Sequence, residues 1–245
     1  MVNFSKIEIV LLDIEGTVSD VRFVYDVMFP FAKQNMKSFL DSQSETTEVR
    51  VAIEQVARDA NLDANHWLLD TERNNVDVER LHAHLQDLMS VDSKTTGLKA
   101  LQGLVWKSGF ESGQLRAELF PDVLPALKLW ASNGKRLFIY SSGSVLAQQL
   151  FFRYTTQGDL SELLSGYYDT TIGKKQELSS YHKIAESVGL RADRILFVSD
   201  IANELIAAEG VGMCAVASVR PSNKPLGPLY RGPQISSFSQ INLLD

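Results

Sequence analysis

The chain of 245 residues contains a single cysteine, Cys214, which rules out an internal disulfide and points to a reducing compartment. Positive charge is in deficit. Against 30 Asp and Glu there are only 24 Lys and Arg, a formal net charge of -6, which argues against nucleic-acid binding driven by a phosphate backbone. Long apolar runs are missing too, so nothing approaches the roughly 20 residues of a membrane span. The opening residues, MVNFSKIEIVLLD, hold Glu8 inside their apolar stretch and offer no small-residue cleavage site, which argues against a secretory signal. The glycosylation sequon Asn3-Phe4-Ser5 is therefore read as a chance match. Proline is scarce except in the tail, where Pro221, Pro225, Pro228 and Pro233 predict an extended, loop-like segment. What remains, 44% hydrophobic and 22% charged, is an ordinary globular composition, with no repeat or low-complexity tract. At roughly 150 residues per domain, one or two domains are expected. The expected setting is the cytoplasm, with passive entry into the nucleus open to a protein of this mass. An acidic surface without an obvious apolar patch predicts a monomer.

Four short apolar runs rich in β-branched residues read as buried parallel strands: Ile7 to Asp13, Arg136 to Tyr140, Arg194 to Val198 and, more weakly, Met213 to Ala217. Helical segments separate them. One opens at Pro121-Asp122 and closes at Gly134; another runs from Glu177 to Val188, with Gly189 just beyond. Alternation of this kind predicts an α/β fold, a Rossmann-like core with a central parallel sheet wrapped on both faces. Residues 21–110 break the pattern. Val49, Ala52, Ile53, Val56, Ala57 and Ala60 form one helical stripe, and Val78, Leu81, His82, Leu85, Leu88 and Met89 another. Turn-prone residues separate them, notably Asp41 to Thr47 and Asn74-Asn75. An inserted all-helical cap over 21–110 is expected, within a core of 1–20 and 111–245.

The chemistry lies at the strand ends. The first strand runs into Asp13-Ile14-Glu15-Gly16-Thr17, and residues two apart on a strand point the same way, so Asp13 and Glu15 face one site. Ligands of open α/β sheets bind beyond the carboxyl ends of the strands. Two carboxylates this close imply a cation, a shared proton or an acid held neutral; a plain strand end with a turn is the alternative. Ser141-Ser142-Gly143-Ser144 ends the second strand before a helix, and suits a phosphate or simple helix capping. Asp200 follows the third long run, with Glu204 in the next helix; it is a hard oxygen ligand or an N-cap. Lys174 and Lys175 precede a helix, as phosphate partners or as surface lysines. The four histidines have no partners at metal-ligand spacing, and Trp67, Trp106 and Trp130 read as packing residues. No P-loop and no G-x-S-x-G elbow is present.

Asp, Ser, Lys and Asp, in that order along one sheet rim, resemble the four motifs of the haloacid dehalogenase superfamily of aspartate-nucleophile phosphatases. A closer likeness lies in VLLDIEGTVSDVRFVYDVMFPFA, GLVWKSGFESGQLRAELFPDV, IYSSGSVLAQQLFF and YYDTTIGKKQELSSYHKIA, which are similar to the enolase-phosphatase (acireductone synthase) family. That family is marked by Glu two residues after the nucleophile, as Glu15 is, and by an F-V-x-D-V-x-F-P stretch, matched by Phe23 to Pro30. The likeness runs from about Ile7 to Arg220. One departure is Ser222 in Arg220-Pro221-Ser222-Asn223, where the family pattern leads one to expect Gly.

The resemblance implies an enzyme that enolises 2,3-diketo-5-methylthiopentyl 1-phosphate and then removes phosphate, giving the acireductone of methionine salvage. It implies Asp13 as nucleophile and Glu15 as acid and base. Phosphate would be bound by Ser141, the Ser142 N–H and Lys175, the last preferred to Lys174. One Mg²⁺ per subunit would be held by Asp13, Asp200 and the Glu15 carbonyl. A phosphatase for another small ester, and a catalytically silent binding module on the same fold, stay open at this point.

Overall fold

The run Ile9–Leu12 is apolar at every position and wholly buried, which demands neighbours on both edges and layers on both faces. In the computed structural model, which describes residues 1–70 and 75–243, it has both. In chain order the elements are β1 (Val2–Asn3), β2 (Ile9–Leu12), a π-helical segment (Phe23–Met28), α1 (Phe29–Gln43), α2 (Thr47–Asp59), β3 (Leu68–Asp70), β4 (Asn75–Val76), α3 (Val78–Ser90) and α4 (Thr96–Glu111). There follow α5 (Val123–Ser132), β5 (Arg136–Tyr140), α6 (Val145–Arg153), β6 (Gly166–Tyr168), α7 (Leu178–Val188), β7 (Ile195–Ser199), α8 (Ala202–Gly210), β8 (Cys214–Ser218), β9 (Gln234–Ile235) and β10 (Ile241–Asn242). The chain divides into two compact units, Met1–Val24 with Arg116–Asp245, and Tyr25–Leu115.

The first unit is built on a parallel sheet of order β6-β5-β2-β7-β8-β9, so the fold is the α/β architecture expected. β2 sits between β5 and β7, with Leu12 level with both Ile139 and Val198. The Asp13 N–H extends the ladder by donating to the Val198 carbonyl at 3.0 Å. The carboxyl ends of three neighbouring strands therefore fall on one rim. Alternation sends Ile9 and Leu11 into a core with Tyr140, Phe197, Tyr181 and Ile184 of α7, and Leu205 of α8. Each such buried side chain contributes roughly 1.5–3 kcal/mol.

The proline-rich tail departs from expectation. It is not wholly loop: Gln234–Ile235 adds an edge strand to the sheet, and β10 pairs in parallel with β1. A clamp fixes it there. Arg220 donates both terminal nitrogens to Asp122 at 3.0 Å, and also reaches the Ser236 and Thr17 carbonyls at 2.8 and 3.2 Å. Its guanidinium stacks over Phe120 and Phe238, at 4.3 and 5.2 Å from their centroids. The Phe238 N–H donates to the same carboxylate at 2.6 Å. Four segments of the chain meet on one buried cation.

In the second unit both predicted stripes are helices, α2 and α3. Val49, Ala52, Ile53, Val56 and Ala57 are buried on α2, and Leu81 and Leu85 on α3. α4 packs closely on α2 because Gly97 has no side chain, and a Cβ there would collide with the Val56 backbone. The Gly97 N–H donates to Asp59 at 2.7 Å. The insert is not all-helical, however. Leu68–Asp70 and Asn75–Val76 pair antiparallel. Two strands of three and two residues are too short to print a period on the sequence. Of the expected Asn74-Asn75 separator, Asn75 lies in β4 and Asn74 lies outside the described residues. Trp67, Trp106 and Trp130 are all buried, as packing residues should be.

Removing the Arg220 cation leaves Asp122 partly buried and unpaired, a change that costs about 3 kcal/mol or more at buried pairs. Arg220→Ala is expected to lower the unfolding free energy by about that much in urea denaturation. A loss below about 1 kcal/mol, the range of exposed pairs, would show that the clamp does not hold the tail.

Candidate active site

Register places Asp13, Ser141 and Asp200 one residue beyond, or at, the ends of β2, β5 and β7. Asp13 is buried, and its Oδ1 accepts the Ile14 N–H at 2.8 Å, which orients the carboxylate. Lys175 Nζ stands 2.7 Å from the same oxygen and 2.8 Å from Glu204 Oε2, with both acids and the lysine almost wholly buried. Ser199 Oγ completes the group, donating to Glu204 at 2.9 Å, with Asp13 Oδ2 at 3.3 Å. Burial opposes the lysine's charge, but Asp13 and Glu204 outweigh it and raise its pKa. Lys174, by contrast, is exposed and lies 3.9 Å from Glu177.

The lysine arrives from a segment with little regular structure, and two tyrosines hold that segment. The Tyr181 hydroxyl donates to the Lys175 carbonyl at 2.6 Å, and the Tyr140 hydroxyl to the Gly173 carbonyl at 2.9 Å. The Tyr140 ring also lies 5.7 Å from the ammonium.

Glu15 points to the neighbouring strand end. Its Oε2 accepts from Ser141 Oγ at 3.2 Å, and Ser141 Oγ in turn accepts the Gly143 N–H at 3.1 Å. Burial, reinforced by the Asp13 charge, pushes the Glu15 pKa up. Ser142 is exposed beside it, and Ser144 caps α6 by accepting the Ala147 N–H at 3.3 Å. Gly16 turns the chain at φ +71, and a Cβ there would stand 2.5 Å from Asp200 Oδ2 and 2.8 Å from Asn223 Oδ1. Burial first, then the Asp13 and Glu204 charges, push the Asp200 pKa up to about 7. Glu204 is also pushed up to about 7 by burial, against the pull of Lys175.

The structure thus brings Asp13, Glu15, Ser141, Lys175 and Asp200 to one rim. Glu204, Ser199 and Asn223 were not assigned roles from the sequence. Glu204 carried a faint signal, an acid in the first turn after a strand, which also reads as helix-dipole compensation. Ser199 and Asn223 carried none.

These donors fit a hard divalent cation. Among the described residues no three acidic, His or Cys side chains form a ready-made metal cage. The resemblance implies a different donor set, two carboxylates and a backbone carbonyl. The Glu15 carbonyl accepts no hydrogen bond among the described residues. Asp200 is pushed up to about 7 because burial and the Asp13 and Glu204 charges outweigh the pull of Lys175, a setting that suits a nearby cation.

Residues 7–212 match the family of haloacid dehalogenase-like hydrolases. Over 236 residues the chain is 41% identical to enolase-phosphatase E1 of Erwinia tasmaniensis, covering 96% of this chain and 97% of that protein. The chain belongs to the enolase-phosphatase E1 family. The counterpart from Pseudomonas syringae pv. tomato is 43% identical over 237 residues, covering 96% of this chain and 97% of that protein. The yeast UTR4 protein, a solved structure, superposes with a TM-score of 0.79 at 33% identity, over 96% of this chain and 99% of that one. CbbY of Rhodobacter sphaeroides, at 15% identity and a TM-score of 0.55 over 96% of each chain, shares the fold. The family membership makes the protein a phosphatase enzyme. No helix among the described residues is long and apolar enough to cross a membrane.

A pH dependence follows from the acid cluster. Asp200 and Glu204 start from 3.8 and 4.5 and hold their protons up to about 7 in the fold. Between those limits the folded chain binds more protons than the unfolded one, so stability falls as pH rises. Urea midpoints in EDTA are expected to drop from pH 5 to pH 7, and Asp200→Asn to flatten the slope. A wild-type slope unaltered by that substitution would contradict the raised carboxyl.

Proposed function

We propose that the protein converts 2,3-diketo-5-methylthiopentyl 1-phosphate to the acireductone 1,2-dihydroxy-3-keto-5-methylthiopentene and phosphate, in the manner of its enolase-phosphatase relatives. The observation that supports it most is the Lys175 ammonium held between Asp13 and Glu204 at a rim shared with Ser141 and Asp200. On this reading Asp13 is the nucleophile, attacking phosphorus in line to give an aspartyl-phosphate that water then hydrolyses. Its carboxylate is already oriented by the Ile14 N–H, so attack needs little reorganisation. Lys175 offsets charge on the phosphoryl oxygens, and the Ser141 hydroxyl with the Ser142 N–H takes others.

Glu15 protonates the leaving oxygen and afterwards takes the proton of the attacking water. Its raised pKa suits an acid that still holds its proton near neutrality. Asp13, Asp200 and the Glu15 carbonyl hold one Mg²⁺, which when bound supplies positive charge for the phosphoryl and enolate oxygens. The inserted residues, expected at 21–110, are read as the cap of the family pattern. The protein works in the cytoplasm as a monomer on a small phosphate ester, with neither nucleic acid nor membrane as partner.

The test supplies the diketo phosphate with Mg²⁺ and follows acireductone absorbance and free phosphate together. Both signals are expected. Phosphate from other esters alone would favour a different substrate, and no turnover at all a silent module. Asp13→Asn should abolish phosphate release while leaving the fold intact; retained turnover removes Asp13 as nucleophile.

A further inference from the structure

One polar side chain at the rim has no part in the chemistry above and yet touches its framework. Asn223 lies in the tail, just beyond β8, and its Nδ2 donates to two carbonyls at once. These are Gly16, which follows β2, at 2.9 Å, and Ser218, the last residue of β8, at 3.0 Å. The sheet order is β2-β7-β8, so this side chain spans the end of β7, where Asp200 begins the next loop. Its Oδ1 is buried without a partner, an arrangement that costs about 1–3 kcal/mol unless something satisfies it. That oxygen lies 2.8 Å, and Asp200 Oδ2 2.5 Å, from the point where a Gly16 Cβ would sit. The amide oxygen and the carboxylate therefore converge over the bare Cα of Gly16.

We propose that Asn223 is a positioning residue for the cation site. It fixes the Gly16–Thr17 peptide, the turn directly after Glu15, through the Gly16 carbonyl, and it presents Oδ1 beside Asp200 as acceptor for a water on the bound cation. The inference rests on the Mg²⁺ site of the proposed function. The Gly16 N–H donates to the Ser19 carbonyl at 2.8 Å, so the plane that carries the Glu15 carbonyl is held on one side of the Gly16 Cα and the next plane is held by Asn223 on the other. Oδ1 and the Asp200 carboxylate are both acceptors, so a donor reaching both, a water on the bound cation, satisfies the buried amide oxygen and ties it to the site. Thr17 and Arg220 are tied to the same tail, so the arm that carries Asn223 is itself anchored.

The experiment uses the full chain with Asn223→Leu, which keeps the branched shape without polar atoms, and Asn223→Ala. Mg²⁺ affinity is measured by titration calorimetry without substrate, alongside thermal melting and the KM and kcat for the diketo phosphate. Loss of an outer-shell partner typically weakens metal affinity 10–100-fold. Both variants are expected to weaken Mg²⁺ binding by about tenfold or more, with kcat restored at saturating Mg²⁺ and KM changed by less than about twofold. Wild-type Mg²⁺ affinity in the variants, whether or not they melt earlier, overturns the proposal, as does a wild type that binds no Mg²⁺. Because the titration contains no substrate, an enzyme that binds Mg²⁺ but hydrolyses a different ester leaves this inference standing while the substrate reading falls.

Discussion

The buried ammonium of Lys175 is the contact on which the rest of the site depends. Taking a charge out of water costs several kcal/mol, and that cost is offset only by close, well-aligned partners. Lys175 has two, Asp13 at 2.7 Å and Glu204 at 2.8 Å. Each carboxylate needs the lysine as much as it needs them, since among the described residues Ser199 is their only other shared donor. The tyrosines that hold the Gly173 and Lys175 carbonyls are part of the same arrangement. Without them an irregular segment would have to keep a long, flexible side chain in one rotamer against about 2 kcal/mol of entropy.

The parts of this arrangement differ in how visible they were beforehand. Strand ends were readable because a buried parallel strand must be apolar throughout, so the first polar residue after IVLL or RLFIY marks the rim. Asp13 and Ser141 were found in that way, Asp200 as the acid one residue further on than the first polar residue after its apolar run, and family resemblance singled out Lys175 over Lys174. Glu204 was visible as an acid but not as a partner, because a first-turn carboxylate has a sufficient local reason to be there. Asn223 had no local reason at all. Its contact with Gly16 joins residues 207 positions apart, and nothing in Pro221-Ser222-Asn223 anticipates it. The β3–β4 pair and the edge strand β9 were missed for another reason: two or three residues cannot display a period.

Net charge is a poor guide to this site. The chain is acidic overall and its rim more so, with Asp13, Glu15, Asp200 and Glu204 around a single lysine. A phosphate dianion would be repelled by such a rim. On the proposed reading a bound divalent cation would offset that excess, and the lysine, held by Asp13 and Glu204, would add its charge toward the ester. Charge of the whole molecule governs long-range encounters with polyanions; at a buried site the nearest few groups decide.

The two acids of the first loop show how far environment separates chemically similar groups. Asp13 has the lysine at 2.7 Å and the Ile14 N–H on the same oxygen. Glu15 has neither. It meets a serine hydroxyl, and burial together with the Asp13 charge favours its protonated form. On the proposed reading one carboxyl attacks and the other delivers a proton, although only Ile14 separates them. Gly16 makes the separation possible. Its positive φ turns the chain away directly after Glu15, and its missing side chain leaves the space that Asp200 and Asn223 fill. A larger residue there would have to displace Asp200, the acid nearest to the turn. The constraint on residue 16 is therefore set by Asp200, the residue that follows a strand far along the chain.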